Sequence, residues 1–342
     1  MALALGLGAL GGALFFALKM PLPWMLGSMI ATLIAAVAGA PVALWLPLRA
    51  VMVAVIGVML GSAFTPAILG QIPRWLPSLA MLVPFVAVAT AIGTAYLRRF
   101  ARFDRVTAFF AGAPGGLAEM TLLGGAHGGD ERMIALIHAG RIVVVVAVVP
   151  LAFRLFGGYV PSNEVAGLLG GFDIEPVEAA ILAACAGLGY VLARVLRVPA
   201  PVLVGPAALS ALAHLGGLSH ATPPTPVVAI AQVVVGATIG CRFAGVGART
   251  IARVLWVSLG SLALLGAVVG LVCLVLHWAT GLPWPVLVLA FAPGGLTEMT
   301  LVAFALDLNP AFVTTHHVLR IFLVILLVPL AFKLLPPGRG LR

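Results

Sequence analysis

The hydrophobic and polar positions of this chain divide it into a succession of apolar runs separated by short joints. In the first half the runs cover 3–18, 23–40, 51–69, 79–97, 106–123 and 133–156. In the second half they cover 179–193, 201–215, 227–241, 255–276, 285–304 and 311–334. Runs of this length suit helices in a hydrocarbon core about 30 Å thick, so the pattern predicts an all-α polytopic membrane protein. All six tryptophans (Trp24, Trp45, Trp75, Trp256, Trp278 and Trp284) fall near predicted helix ends, where amphipathic rings settle in a bilayer.

Composition strengthens that reading. The 342 residues are 63% hydrophobic and only 8% charged, too few charges to cover a soluble domain of this size. The formal charge of +9 sits in short loops, where it sets orientation and does not imply nucleic acid. The first run starts at Ala2 with no basic residue before it and reads as a span, not a signal peptide. Cys185, Cys241 and Cys273 are scattered through apolar segments, with no metal-ligand spacing and no disulfide framework.

The pattern also repeats. Ala113-Pro114-Gly115-Gly116-Leu117-Ala118-Glu119-Met120-Thr121-Leu122 returns as Ala292-Pro293-Gly294-Gly295-Leu296-Thr297-Glu298-Met299-Thr300-Leu301, with nine of ten positions identical at an offset of 179. His138 and Arg141 answer to His317 and Arg320, and Gly57 and Gly61 to Gly236 and Gly240. The predicted domains are a first membrane repeat at 1–156, a periplasmic acidic linker at 157–178, a second membrane repeat at 179–335 and a cytoplasmic tail at 336–342. The linker holds Glu164, Asp173, Glu175 and Glu178 and no Lys or Arg.

Loop charges decide whether the motif segment crosses the membrane. If it enters and returns on one side, the inner loops hold Arg49, Arg98, Arg99, Arg102, Arg105, Arg132, Arg194, Arg197, Arg242, Arg249, Arg253, Lys333, Arg339 and Arg342. The outer loops then hold only Lys19, Arg74 and Arg154, fourteen against three. If it crosses, the division is nine against eight, which is no bias. The re-entrant arrangement leaves five spans per repeat. Five is odd, so the second repeat enters from the opposite face. The predicted fold is two inverted-topology repeats, each five transmembrane helices plus one re-entrant, broken helical hairpin. Broken at its Pro-Gly-Gly, the 18-residue segment 106–123 gives two halves of about 12 Å, enough to reach the midplane.

A helix break and a carboxylate inside an apolar segment are costly in lipid, so both copies are candidate sites. The candidate substrate-binding residues are Pro114, Gly115, Gly116, Glu119, Thr121 and Arg141, with Pro293, Gly294, Gly295, Glu298, Thr300 and Arg320. Glu119, Glu298, His138 and His317 are the candidates for carrying a coupled proton or ion. The glutamates stand three residues past the turn, where a carboxylate either caps free N–H groups or binds a ligand. Arg141 lies near mid-membrane, where a bare guanidinium is disfavoured by ~2.5–3.5 kcal/mol, so a partner is expected. That partner is either a motif glutamate in a static bridge or a transported anion. Gly57-x-x-x-Gly61 and Gly236-x-x-x-Gly240 read as packing faces.

The doubled A-P-G-G-L-x-E-M-T-L with its downstream H-x-x-R resembles the AbrB-type membrane duplication family over essentially the whole chain. That resemblance implies a place in the cation–proton antiporter and anion transporter superfamily, with its Gly-Gly re-entrant loops and broken, crossing helices. The family's members are labelled either ammonia monooxygenases or regulators of gene expression. No helix-turn-helix pattern or soluble DNA-binding segment supports the second label here. The histidines lack a spacing such as H-x-x-x-H that a metal enzyme would use. The expectation is therefore an ion-coupled secondary transporter of a small solute, with an organic anion favoured. A membrane-bound regulator is the alternative and a membrane enzyme a distant third. No enzymatic activity, cofactor, metal or nucleic acid is expected. The expected partners are the solute, H⁺ or Na⁺, the lipid bilayer and, in one arrangement, a second copy of the chain. The expected location is the bacterial inner membrane, multi-pass, with both termini cytoplasmic.

Overall fold

The computed structural model describes residues 1–157 and 171–334, and among them the only regular structure is helix. Most of the predicted linker, 158–170, and the tail 336–342 lie outside the described residues. The linker's last residues are already helical: Glu175 is an N-cap and Pro176 opens a helix. Proline at the first helical position gives up only an N–H that a first turn leaves free anyway.

The first repeat comprises α1 (Ala2–Ala17), α2 (Pro23–Val37), α3 (Leu46–Ser62), α4 (Pro66–Leu69), α5 (Ile72–Tyr96), α6 (Arg105–Gly112), α7 (Leu117–Ala126) and α8 (Glu131–Gly157). A π-helical turn, Leu97–Ala101, extends α5. The second comprises α9 (Pro176–Val195), α10 (Pro201–Leu215), α11 (Thr225–Cys241), α12 (Ala248–Thr280), α13 (Trp284–Phe291), α14 (Leu296–Ala305) and α15 (Pro310–Leu334). Each predicted run is found. The third is displaced, from 51–69 to Leu46–Ser62 followed by the short α4. Pro47 fits the first turn of α3, and Pro66, lacking an N–H, cannot continue the helix. Among the described residues five helices are long and apolar enough to cross a membrane: Ile72–Ala101, Glu131–Gly157, Pro176–Val195, Ala248–Thr280 and Pro310–Leu334. The apolar α1, α2, α3, α10 and α11 are shorter. The chain is an all-α polytopic membrane protein.

The helices group into two compact units. The first takes Met1–Trp75, Val146–Ala248 and Leu296–Thr314. Its helices approach closely because glycine faces backbone. A Cβ on Gly57 of α3 would lie 2.7 Å from the Leu203 carbonyl of α10, and one on Gly240 of α11 would lie 2.6 Å from the Met29 carbonyl of α2. Gly61 meets Ala207 and Gly236 meets Met25 in the same way, so both glycine pairs are packing faces. Along each contact the residue numbers rise together, so α3 runs parallel to α10 and α2 parallel to α11. Successive crossings joined by the short loop 38–45 must run antiparallel. Hence α10 runs opposite to α2, its counterpart, as inverted repeats require. Two hydrogen bonds follow the same pseudo-symmetry: Ser210 Oγ donates to the Val58 carbonyl at 2.8 Å and Thr32 Oγ1 to the Ala237 carbonyl at 3.4 Å.

The second unit takes Leu76–Val145, Arg249–Gly295 and the chain from Thr315. Within it α6 and α7 fold back on each other. A Cβ on Gly124 would lie 3.2 Å from Phe110 Cβ, and the Asp130 N–H donates to Thr107 Oγ1 at 2.9 Å. In one straight helix residues 110 and 124 would stand about 21 Å apart. The first motif segment is thus a hairpin. Phe109, Phe110, His127 and Phe332 pack as an aromatic cluster over its mouth, with the Arg105 guanidinium 5.6 Å from the Phe332 ring centre.

Candidate functional site

The hairpin begins with a capped helix. Asp104 Oδ1 accepts the N–H groups of Val106 at 2.9 Å and Thr107 at 3.0 Å. Burial raises the Asp104 carboxyl, but these hydrogen bonds outweigh it and hold the group below its ordinary value. α6 ends at Gly112, and Ala113 and Gly116 take extended backbone before α7 begins. Neither motif glycine of this copy has a positive φ. They are glycine for space: a Cβ on Gly115 would lie 2.7 Å from Met120 Cγ and from Val324 Cγ1, and one on Gly116 would run into the Glu119 carboxylate.

The break leaves carbonyls without helical partners, and the H-x-x-R pair supplies them. The Phe110 carbonyl would be bonded by the N–H of residue 114 in a continuing helix, but Pro114 has none. His138 Nε2 takes its place at 3.1 Å. Arg141 Nη1 donates to the Ala113 carbonyl at 3.1 Å. The second repeat does the same: Pro293 frees the Leu289 carbonyl, and His317 Nε2 bonds it at 2.9 Å. Arg320 donates from Nη1 to Ala292 at 2.6 Å and from Nη2 to Gly294 at 2.7 Å. A carbonyl only accepts and a guanidinium only donates, so the histidine tautomer follows. Each histidine carries its proton on Nε2, and its Nδ1 accepts from the arginine Nη2, at 2.7 Å in the first pair and 3.0 Å in the second. All four side chains are at most 4% exposed. The negative ends of α6 and α13 stabilise the guanidinium charges in addition.

The arginines therefore find backbone, and none of their hydrogen bonds goes to a motif glutamate. Glu119 is half-buried and bends back over Gly116. Glu298 is 7% exposed and feels the charges of Arg49 and Arg242. Thr121 and Thr300 spend their hydroxyl protons on their own helices, donating to Leu117 at 2.7 Å and Leu296 at 2.9 Å. Thr314 Oγ1 also donates to Thr300 Oγ1 at 3.4 Å.

Within the second unit lie Pro114, Gly115, Gly116, Glu119, Thr121, His138, Arg141, Pro293, Gly294, Gly295, His317 and Arg320. Glu298 and Thr300 belong to the first unit, as do Arg49 and Arg242. These two arginines were read from the sequence only as loop charges. Both stand fifty or more residues from the second motif, and their repeat positions hold Val227 and Ala63, so no pattern linked them to Glu298.

Comparison with known proteins matches this arrangement to one family. The family model described as "Transition state regulatory protein AbrB" matches residues 24–336. The chain belongs to the AbrB family. Two relatives share most of its length. "Uncharacterized protein YhjN" of Bacillus subtilis (strain 168) is 29% identical over 306 residues, 82% of this chain and 77% of that protein. "Putative regulator AbrB" of Escherichia coli (strain K12) is 25% identical over 324 residues, 92% of this chain and 90% of its own.

Proposed function

We propose that this AbrB-family protein is a secondary transporter of a small solute, an organic anion by preference, coupled to H⁺ or Na⁺. One observation carries the reading: in each repeat a helix breaks at Pro-Gly-Gly, and a buried arginine and histidine hold the freed carbonyls. Non-helical backbone at membrane depth is tolerated where protein buries it or a water path meets it. Inverted repeats with discontinuous helices are a common way to build a transport site. In this reading Glu119 and Glu298 carry the coupled proton or ion. His138 and His317 have both ring nitrogens engaged, Nε2 by a freed carbonyl and Nδ1 by the arginine, and so hold the guanidinium in place for the solute. The protein is not an enzyme and uses no cofactor. It sits in the bacterial inner membrane with both termini cytoplasmic, as the loop arginines favour. The name of the E. coli relative supplies the second reading, regulation of gene expression.

The test is solute flux into proteoliposomes, screened over organic acids and amines. Once a solute is found, Glu119→Gln, Glu298→Gln, Arg141→Lys and Arg320→Lys are compared with the parent. At least one glutamate change and one arginine change should abolish flux in protein that still inserts. Lysine keeps the charge but loses the planar fork, so it separates geometry from electrostatics. Normal flux in all four variants would sink the proposed site.

A further inference from the structure

We propose that Arg141 and Arg320 together form one anion site inside the second unit, and that this site selects a small singly charged anion, a monocarboxylate first, over di- and tricarboxylates. The inference builds on the transport reading but concerns binding alone.

Both arginines belong to the second unit, and the charge of Arg141 acts on Arg320. The break held by Arg141 also touches the helix that bears Arg320. Gly115, two residues past Ala113, packs on Val324, which stands one turn from Arg320 on the same face of α15. Two buried like charges thus share one interior, one from each repeat. Glu119, the motif carboxylate of the same unit, is bent over Gly116 and bonds neither arginine.

The donors already in use define what remains. In both side chains the two Nη atoms are engaged by carbonyls and histidine. In both, Nε is buried and has no partner. Buried donors almost always have one, so the two Nε–H groups mark an unfilled demand made by both repeats. With the outer fork of each guanidinium occupied by protein, neither arginine offers its end-on bidentate grip. One N–H from each side suits the two oxygens of a single carboxylate, one oxygen to each arginine.

Charge gives the same answer. The two guanidiniums contribute two positive charges, the C-terminal ends of α6 and α13 offset about half a charge each, the N-terminal end of α7 returns about half, and Glu119 stands in its first turn. The balance stays below two positive charges. A monoanion answers it, whereas a second carboxylate would be buried without full compensation.

The test uses detergent-purified full-length protein labelled with ¹⁵N-arginine, at ionic strength held with a bulky buffer salt. Acetate, succinate and citrate are titrated by calorimetry and by NMR of the arginine Nε–H signals. Acetate should bind saturably, about tenfold tighter than either polycarboxylate. It should shift two Nε–H resonances, assigned by their loss in Arg141→Lys or Arg320→Lys. Where a variant does not fold, the count of two shifted signals in the parent protein still decides. Equal or tighter binding of succinate or citrate overturns the inference, as does acetate binding that moves no Nε–H signal. Acetate binding without acetate flux in liposomes breaks the transport reading and leaves this site standing. Flux of a solute that leaves the Nε–H signals unmoved breaks this site alone.

Discussion

The two motif segments share nine of ten residues but settle in different surroundings. The first keeps both halves in one unit, with α7 folded against α6, Glu119 half-buried and Leu122 72% exposed. The second divides between units: α13 groups with the second, and α14 groups with the first and is buried along almost its whole length. The shared residues fix the break and its arginine clamp. Residues that are not repeated fix the surroundings. Asp104 caps α6 with two hydrogen bonds, whereas its counterpart Pro283 offers no side-chain cap to α13. Thr107 ties the mouth of the first hairpin through Asp130, whereas its counterpart is Val286. Arg49 and Arg242 place their charge near Glu298 and have no equivalents around Glu119 in the repeat pattern. A duplicated sequence thus gives two copies of one scaffold in unequal surroundings.

The comparison assumes that the two motif segments open to opposite faces, and the sharpest way to break it is all-or-none. Gly128 and Asp307 are equivalent loop positions just past α7 and α14, with φ values of +83° and +52°. Single cysteines there, in a cysteine-free background, should be labelled from the inside at 128 and from the outside at 307. Left-handed backbone makes a cysteine at 128 cost about 1 kcal/mol, which a surface loop tolerates. Labelling of both from one face would end the inverted-repeat description and the shared site with it.

The next effect separates the clamps. Arg320 holds two carbonyls, Ala292 and Gly294, while Arg141 holds one, Ala113. An orphaned buried polar group costs roughly 1–3 kcal/mol. With the histidine Nδ1 counted, Arg320→Met orphans three acceptors and Arg141→Met two, so the first should destabilise by roughly half as much again, read from denaturation midpoints in detergent. Equal losses would mean that the third hydrogen bond contributes nothing and that the two clamps are equivalent.

Much of this was legible in the sequence. Apolar runs located the helices to within a few residues because lipid demands continuous apolar surface, and the offset of 179 exposed the duplication. The glycine faces at Gly57/Gly61 and Gly236/Gly240 were readable because close helix approach needs small residues at i and i+4. What was missed depends on which helices become neighbours. Pro114 announces that the Phe110 carbonyl will lack its N–H, but nothing in the chain says that His138 replaces it. The spacing of 28 between Phe110 and His138 recurs between Leu289 and His317, and it gains meaning only once α8 and α15 are seen beside the breaks. The sequence left two partners open for the arginines, a motif glutamate or an anion. Backbone carbonyls were neither, because hydropathy and charge patterns register side chains and overlook freed peptide groups.

The smallest effect concerns the tie that only the first hairpin has. Thr107→Val gives it the residue its counterpart carries and keeps the side-chain shape while removing the acceptor of the Asp130 N–H. One part-buried hydrogen bond contributes about 1 kcal/mol net, a several-fold change in an opening equilibrium. Hydrogen exchange should therefore rise several-fold at the Asp130 amide and through α7, where opening of the mouth frees the helix. Exchange in α14 should stay as it was, since that helix belongs to the first unit and has no such tie. Thr107→Ser restores the hydroxyl and should return exchange to the parent rate, which separates the hydrogen bond from loss of packing. If Thr107→Val leaves α7 exchange unchanged, the aromatic cluster of Phe110, His127 and Phe332 closes the hairpin by itself, and the difference between the copies lies there instead. Phe332→Leu would then be the substitution that loosens the first hairpin.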